Sequence, residues 1–194
     1  LTRASRPGPR GVRTRARVGA VTAYTVRDSH AGDLPQLERL YPGVFPGKDL
    51  LALVRSLMLE TPGVLSLVAV AGDVAVAHAV FTHCGLGDRT HGAALLGPLA
   101  VAQTWQRRGI GRTLVRAGLD RLRGEGVGRV CVLGVPGYYA RFGFAPERAI
   151  APPFTLPAEW RDAWQSLGLN GAPGPPRGRL SVPPAWQDQR LWAP

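Results

Sequence analysis

Residues 99–111 read LAVAQTWQRRGIG, and this stretch decides how the rest of the chain is interpreted. It joins an apolar, strand-like run to an amphipathic, helix-like run through a Gln-x-x-Gly-x-Gly loop. Gly109 and Gly111 lack a Cβ, so the backbone can turn tightly and bring its N–H groups close to a ligand. The helix that follows supplies unpaired N–H groups and the positive end of its dipole. The loop therefore predicts a binding site for phosphate or pyrophosphate groups.

Three arginines, Arg107, Arg108 and Arg112, place positive charge around this loop, which suits a polyphosphate ligand. The spacing differs from that of a Walker loop, which ends in Gly-Lys-Ser/Thr, and from the dinucleotide fingerprint Gly-x-Gly-x-x-Gly. Glycines in a strand-to-helix turn also occur where a helix packs closely on a sheet. Taken alone, the loop therefore leaves ligand binding and close packing as alternatives.

A second motif follows at residues 130–144, VCVLGVPGYYARFGF. It has an apolar strand pattern, a Gly/Pro break, a brief helix and an Arg-Phe-Gly-Phe ending. Together the two motifs closely resemble the GNAT superfamily of N-acetyltransferases, which carries an acetyl-coenzyme A (acetyl-CoA) signature Arg/Gln-x-x-Gly-x-Gly/Ala and a Tyr-x-x-x-Gly-Phe ending. Gln106, Gly109 and Gly111 fill the fixed positions of the signature. Tyr139 is the tyrosine of the ending.

The second motif also resembles a branch of small, mostly bacterial predicted acetyltransferases that carries Gly-Asp-Pro-x-Tyr-Tyr-x-Arg-Phe-Gly-Phe. That branch has a Gly-His-x-x-Phe-Ser strand, and this chain has AHAVFT at residues 77–82, which includes His78. Val135 departs from the branch, which usually has Asp there. Val132 stands where the family often has an Asn that meets the pantetheine. These two departures leave room for a second hypothesis, a non-catalytic acyl-CoA-binding sensor.

The resemblance implies an α/β fold, the GNAT acyl-CoA N-acyltransferase fold, in which a mixed, mostly antiparallel central sheet is splayed at its fourth and fifth strands and flanked by helices. It implies an enzyme that moves an acetyl group from acetyl-CoA to a primary amine of a small molecule or peptide by direct transfer. The scarcity of acidic residues at 41–59 disfavours a strongly cationic acceptor, because a polyamine favours a carboxylate-lined pocket. The acceptor is otherwise left open.

The resemblance also assigns roles to single residues. The backbones of Leu99 and Val101 would pair with the pantetheine arm, and residues 106–112 would hold the pyrophosphate, mainly through main-chain groups. The complete predicted cofactor site is Leu99, Ala100, Val101, Gln106, Arg107, Arg108, Gly109, Ile110, Gly111, Arg112 and Thr113.

Tyr139 is the predicted proton donor to the departing thiolate, because the general-acid tyrosine of the family stands at this position. The neighbouring Tyr138 could face the sulfur instead, and Tyr139 could be only a packed aromatic residue. His78 is the candidate general base, since an imidazole can accept the proton of the amine directly or through water. A histidine on an apolar strand is more often a hydrogen-bonded core residue, and some GNAT enzymes have no dedicated base.

The chain has 194 residues and a formal net charge of +11, and residues 1–18 contain six arginines. This arm is rich in Gly, Pro and Arg and is predicted to be disordered. Residues 19–146 are predicted to form the acetyltransferase domain, with residues 147–194 as a Pro/Trp-rich extension packed on it. Nucleic-acid binding through the arm is the less favoured alternative, because the arm lacks the interleaved aromatic residues of a base-stacking platform.

No apolar run approaches the length of a membrane span, and the N-terminus lacks a secretory signal pattern. Cys84 and Cys131, the only cysteines, are therefore interpreted as reduced thiols in a cytoplasmic protein. The resemblance to the mostly bacterial branch implies a bacterial source. The four histidines and two cysteines show no convincing metal-ligand spacing. We expect no membrane association and no metal, and a homodimer is compatible with the sequence.

Hydrophobic periodicity and turn residues predict the elements around the two motifs. Gly72-Asp73 is a hairpin signal between two β-rich runs, and residues 84–92, CGLGDRTHG, are interpreted as a loop. The predicted strands span 23–26, 64–71, 74–81, 93–102 and 178–182, and the predicted helices span 33–40 and 49–59, with a third after the glycine loop.

Overall fold

The structure, a computed structural model, describes residues 23–59, 63–87, 89–171 and 177–192, without the side chains of residues 89–91. The arm predicted at residues 1–18 lies outside these ranges. The strands are β1 (Thr25–Asp28), β2 (Val64–Ala71), β3 (Val74–Leu86), β4 (Arg89–Val101), β5 (Arg129–Leu133), β6 (Ala145–Pro146), β7 (Ile150–Ala151), β8 (Trp164–Gly168) and β9 (Gly178–Arg179). The helices are α1 (Leu34–Val44), α2 (Leu51–Leu59), α3 (Ile110–Gly124) and α4 (Pro136–Tyr139).

Seven strands form one sheet in the order β1-β2-β3-β4-β5-β8-β6. Neighbours are antiparallel except β4 and β5, which run parallel. The β4–β5 ladder ends at Leu96 opposite Val132, whereas β4 stays paired with β3 as far as Val101. Residues 97–101 therefore have no partner strand on the β5 side among the described residues, and a gap opens there. The predicted mixed, mostly antiparallel sheet is confirmed.

Helices cover both faces of this sheet, because side chains along β3 alternate between the two faces. Phe81 lies against α3, where a Cβ on Gly118 would overlap the Phe81 ring. His78 points to the other face and hydrogen-bonds Tyr41 of α1. The glycine at position 118 allows α3 to approach the sheet closely, and this packing places the first turn of α3 beside the gap between β4 and β5.

The loop predicted at residues 84–92 is wrong, because β3 continues to Leu86 and β4 already begins at Arg89. Gly85 exchanges two backbone hydrogen bonds with Ser181, both of 2.9 Å, so the C-terminal part of the chain supports this extension of the hairpin. The glycines and polar residues of the segment are typical of a loop, and the partner that supports the strand is remote in sequence. The local pattern therefore could not reveal the strand.

Some other predicted helices and strands begin or end a few residues away from their predicted bounds. Helix α1 runs beyond its predicted end to Val44 although Pro42 lies inside its last turn. The last predicted strand is reduced to β9 and a single bridge at Ser181. Strand β8, which was not predicted, lies between β5 and β6. No helix among the described residues is both long and apolar enough to span a membrane.

Candidate active site

A cavity of about 1580 Å³ opens at the gap between β4 and β5. Residues 105–107 and 109–112, before and within the first turn of α3, line one end of it. Residues 97–99 and 101 of β4, the end of β5 and two tyrosines of α4 line the middle. The connection between α1 and α2 and the C-terminal residues 184–192 line the other end. The two sequence motifs thus meet at one cavity.

The loop before α3 has a backbone that only a few residue types adopt easily. Arg107 has φ +59° and Gly109, the N-cap of α3, has φ +82°, both in the left-handed region. Gly111 is favoured for a different reason, because a Cβ there would lie 2.5 Å from the Tyr138 hydroxyl oxygen and the Tyr138 side chain would have to move. The side-chain amide of Gln106 donates a 3.1 Å hydrogen bond to the carbonyl of Val101 and so ties the loop to β4.

The open edge of β4 presents main-chain groups to the cavity. The amide of Ala102 donates a 2.9 Å hydrogen bond to the carbonyl of Val76 on β3. Because backbone groups alternate in direction along a strand, Ala100 also faces β3, and the N–H and C=O groups of Leu99 and Val101 face the gap. The Val101 carbonyl is taken by Gln106, so Leu99 keeps both a donor and an acceptor for a ligand.

Positive charge surrounds the end of the cavity near α3. Arg107 and Arg112 line it from the loop and the helix, and Arg141 lines it from the segment after α4. The Arg141 guanidinium carbon lies 4.7 Å from the centre of the Tyr138 ring, a cation–π contact that holds both side chains. With the helix N-terminus, these three cations make this end suited to a pyrophosphate group.

Tyr138 and Tyr139 stand side by side in the cavity wall, with ring centres 5.0 Å apart in an edge-to-face arrangement. Tyr139 is largely buried, and its ring packs on Gly134 at the end of β5, where a side chain would overlap it. Neither hydroxyl bonds a described residue, and no buried polar side-chain atom in the described ranges lacks a partner, so both hydroxyls open into the cavity. Burial raises the pKa of both phenols, which keeps each a proton donor at neutral pH.

His78 lies away from this cavity. Its side chain is fully buried, with Nδ1 2.8 Å from the Tyr41 hydroxyl and Nε2 2.8 Å from the Ser66 hydroxyl. Burial lowers the pKa of His78 to about 4, although Asp33 opposes the shift. Both ring nitrogens are engaged inside the core, so the geometry matches the hydrogen-bonded core histidine rather than a base beside Tyr139.

We expect the buried His78 to make folding sensitive to acid. An unfolded histidine binds a proton below about pH 6.5, whereas the folded His78 resists protonation down to about pH 4, so stability is lost as the pH falls through this window. The free energy of unfolding should therefore drop by about 2 kcal/mol from pH 7.5 to pH 5.0 through this group alone. Urea unfolding at the two pH values measures it, and His78→Gln should show a drop smaller by that amount. The same drop in both proteins would contradict the assignment.

The structure brings eight of the eleven predicted cofactor residues to the cavity and leaves three outside it. Those that line it are Leu99, Val101, Gln106, Arg107, Gly109, Ile110, Gly111 and Arg112. Ala100 is fully buried against α1, and Thr113 bonds the Tyr24 hydroxyl and the Gly109 carbonyl. Arg108 lies over the Trp105 ring, with its guanidinium carbon 5.2 Å from the ring centre.

Several of the residues that line the cavity were not predicted from the sequence. Arg141 belongs to the Arg-Phe-Gly-Phe ending, so its nearness to Tyr138 could have been inferred from the motif. Trp160 and the residues 184–192 carry no motif, and only the folding of the C-terminal segment over β3 and α2 brings them to the cavity. No local signal could have found them.

Comparison with known proteins agrees with this geometry. The model of the acetyltransferase (GNAT) family matches residues 33–144. The uncharacterized N-acetyltransferase YjhQ of Escherichia coli is 31% identical over 157 residues, which cover 78% of this chain and 86% of that protein.

Solved structures show the same fold. A GNAT family acetyltransferase from Brucella melitensis, in complex with acetyl-CoA, has a TM-score of 0.69 at 27% identity, covering 86% of this chain and 100% of that one. The E. coli N-acetyltransferase YhbS, in complex with CoA, has a TM-score of 0.75 at 23% identity, covering 89% and 97%. With its splayed sheet, glycine loop and tyrosine motif, and with a family match over more than half its length, the chain belongs to the GNAT acetyltransferase family.

Proposed function

We propose that this protein is an N-acetyltransferase that uses acetyl-CoA and transfers the acetyl group directly to a primary amine of a small molecule or peptide. One observation carries the proposal: the N-terminus of α3, the open edge of β4 and the hydroxyl of Tyr139 meet in one cavity. Each satisfies a different need of the reaction, namely phosphate binding, alignment of an extended arm and donation of a proton. The relatives that were solved with CoA or acetyl-CoA support the choice of cosubstrate.

In this proposal the loop before α3 holds the pyrophosphate of the cosubstrate. The helix N-terminus offers main-chain N–H groups, and Arg107 and Arg112 add charge-assisted hydrogen bonds. The free backbone donor and acceptor of Leu99 align the pantetheine arm along β4, as an added strand would be aligned. Gly111 has no side chain, so the Tyr138 hydroxyl approaches the start of α3 closely and lies beside the path of this arm.

Bound acetyl-CoA would supply a thioester, whose cleavage by an amine forms an amide and releases a thiolate. Tyr139 would give its hydroxyl proton to that sulfur as the carbon–sulfur bond breaks, because the phenol is protonated at neutral pH and lines the cavity, and solvent would return a proton to the phenolate. No histidine is among the described residues that line the cavity, so we propose that water carries away the proton of the amine. Holding amine and thioester side by side supplies much of the remaining rate enhancement.

The two departures from the family pattern are compatible with catalysis. Val135 occupies the N-cap of α4, and its carbonyl accepts hydrogen bonds from the amides of Tyr138 and Tyr139 at 3.0 and 3.3 Å. The short helix that carries the tyrosines is therefore closed without a carboxylate at position 135. Val132 is buried in the core, where it packs and makes no contact with the cavity. Neither departure therefore disturbs the position of Tyr139 on which catalysis would depend.

Arg112→Ala is expected to weaken acetyl-CoA binding by about 10-fold, because a hydrogen bond to a charged group is worth about 1.5–3 kcal/mol and this side chain is partly screened by solvent. Isothermal titration calorimetry measures the dissociation constant. Arg116→Ala is the matched control, since Arg116 lies one turn further along the same exposed face of α3 and does not line the cavity. Equal losses in the two variants would mean that only overall charge matters and that the loop is not the pyrophosphate site.

A further inference from the structure

The end of the cavity opposite α3 has a chemical character of its own. Its walls are mainly apolar and aromatic, with Phe45 and Leu50 on one side and Trp186, Leu191 and Trp192 on the other. If acetyl-CoA enters from the α3 end, as proposed above, this end receives the acceptor amine. Its lining then determines which amines are accepted.

The wall formed by residues 183–192 is firmly held. The indole N–H of Trp186 donates a 3.0 Å hydrogen bond to the Thr82 hydroxyl on β3, and that of Trp192 donates a 3.0 Å hydrogen bond to the Trp186 carbonyl. The two rings lie 5.9 Å apart, and the Trp192 ring also lies 6.1 Å from that of Trp164 on β8. Both indoles are nearly fully buried, and each indole N–H has a hydrogen-bond partner. The segment is therefore an ordered part of the cavity wall.

Charges at this end do not favour a second positive charge on the acceptor. Asp49 and Asp188 are the only carboxylates among the described residues that line the cavity. Asp188 is paired with Arg190, whose guanidinium approaches it at 2.6 and 3.0 Å and lowers the pKa of its carboxyl. Asp49 accepts a 3.1 Å hydrogen bond from the amide of Leu51 at the start of α2.

The two cations at this end, Lys48 and Arg190, equal the two carboxylates in number. Lys48 lies 5.4 Å from the centre of the Trp160 ring, and Arg190 is bound to Asp188. An acceptor with two or more ammonium groups would therefore lose hydration around its second charge without meeting a net negative charge at this end. An acceptor with an apolar body would instead gain contact with the aromatic wall.

We propose that the wall at residues 183–192 selects acceptors whose amine is carried by an uncharged, apolar or aromatic body. This proposal rests on the proposed acetyltransferase function. Two sources provide this chemistry, a small alkyl- or arylalkylamine and a peptide with an apolar N-terminal residue. Leu191, which is partly exposed, lines the cavity and precedes Trp192 in the chain, is a specificity-determining residue of the wall.

The test compares hexylamine with 1,6-diaminohexane, which have the same carbon chain and differ by one ammonium group. We expect the wild-type kcat/KM for hexylamine to exceed that for the diamine by about 10-fold or more, since the second ammonium group loses hydration beside the apolar wall without gaining a net opposite charge. Leu191→Asp should reduce this ratio by about 5-fold or more through attraction of the second ammonium, whereas the isosteric Leu191→Asn should leave it within about 2-fold. Ser56→Asp and Ser56→Asn provide a second pair of variants with and without an added carboxylate. Ser56 lines the cavity from the exposed face of α2, so neither substitution should impair folding.

Binding of the same two amines to the CoA-loaded protein, measured by calorimetry, separates this proposal from the proposed function. Tighter binding of hexylamine without any acetylation would overturn acetyl transfer and support the preference for an apolar acceptor. Equal or tighter binding of the diamine, no binding of either amine, or an equal ratio in Leu191→Asp and Leu191→Asn would overturn the preference. 2-Phenylethylamine and a pentapeptide beginning with phenylalanine then distinguish the two sources, because the better substrate identifies the acceptor as small molecule or peptide.

Discussion

Tyr139→Phe is expected to lower kcat by about 100-fold while changing the affinity for acetyl-CoA by less than about 3-fold, because general acid catalysis contributes about 10²–10⁴-fold. The substitution removes only a hydroxyl that bonds no described residue, so the packing of the ring on Gly134 and Phe144 is preserved. Stability should therefore be unchanged, and the loss should lie in the chemical step. Steady-state kinetics with an apolar amine and a thiol reagent that detects released CoA measures the effect.

Tyr138→Phe is the matched control, and the two tyrosines should differ in which kinetic constant they change. The Tyr138 hydroxyl lies beside Gly111 at the start of α3, where the proposal places the pyrophosphate and the upper pantetheine arm. Its loss should raise the KM for acetyl-CoA by a few fold and affect kcat much less. Equal kcat values in the two variants would remove Tyr139 from the mechanism. Tight acetyl-CoA binding by the wild-type protein without turnover of any amine would support the sensor instead.

The glycine loop could be predicted from sequence because its chemistry is local. The left-handed backbone at Gly109, the start of α3 and the neighbouring arginines all lie within a few consecutive residues. The same holds for Tyr139, since one short helix and the end of β5 fix its position. In both places the residues that form the feature are adjacent in the chain, so a short motif contains nearly all of the information.

Features that depend on remote partners could not be predicted in the same way. His78 on an apolar strand is compatible with a base or with a core residue, and only the approach of Tyr41 and Ser66 from other elements decides where its ring nitrogens bond. The strand through Gly85 likewise depends on Ser181. The aromatic wall around Trp186 depends on Thr82. Such contacts follow from the tertiary fold, which local periodicity does not encode.

The composition of the sequence also gave a partial indication of the acceptor. Few acidic residues occur near α2, which disfavoured a polyamine from sequence alone. In the folded protein the C-terminal segment adds Asp188 to the cavity, but it adds Arg190 as the ion-pair partner at the same time. The charge balance of the cavity therefore supports the same preference, for a reason that the sequence near α2 does not contain.

Gly109→Asp is expected to weaken acetyl-CoA binding by about 100-fold or more, because a carboxylate fixed at the N-terminus of α3 repels the pyrophosphate with several kcal/mol per charge pair at close range. The site has room for the side chain, since no atom lies within 4 Å of a Cβ at this position. Asp tolerates the left-handed backbone at φ +82° better than most residues, and it can also stabilise the helix end electrostatically. The variant should therefore still fold, with the introduced carboxylate placed where the pyrophosphate would bind.

Gly109→Asn separates charge from shape, because Asn has nearly the same size as Asp and tolerates the same backbone conformation. It should retain most of the affinity, losing about 10-fold or less, because the main-chain N–H groups and the arginines keep their positions. The increase in melting temperature on addition of acetyl-CoA gives a rapid comparison, and calorimetry gives the dissociation constants. If Asp and Asn weaken binding equally, the backbone at position 109 matters and the charge does not. If neither weakens it, the phosphates bind elsewhere and the assignment of the loop fails.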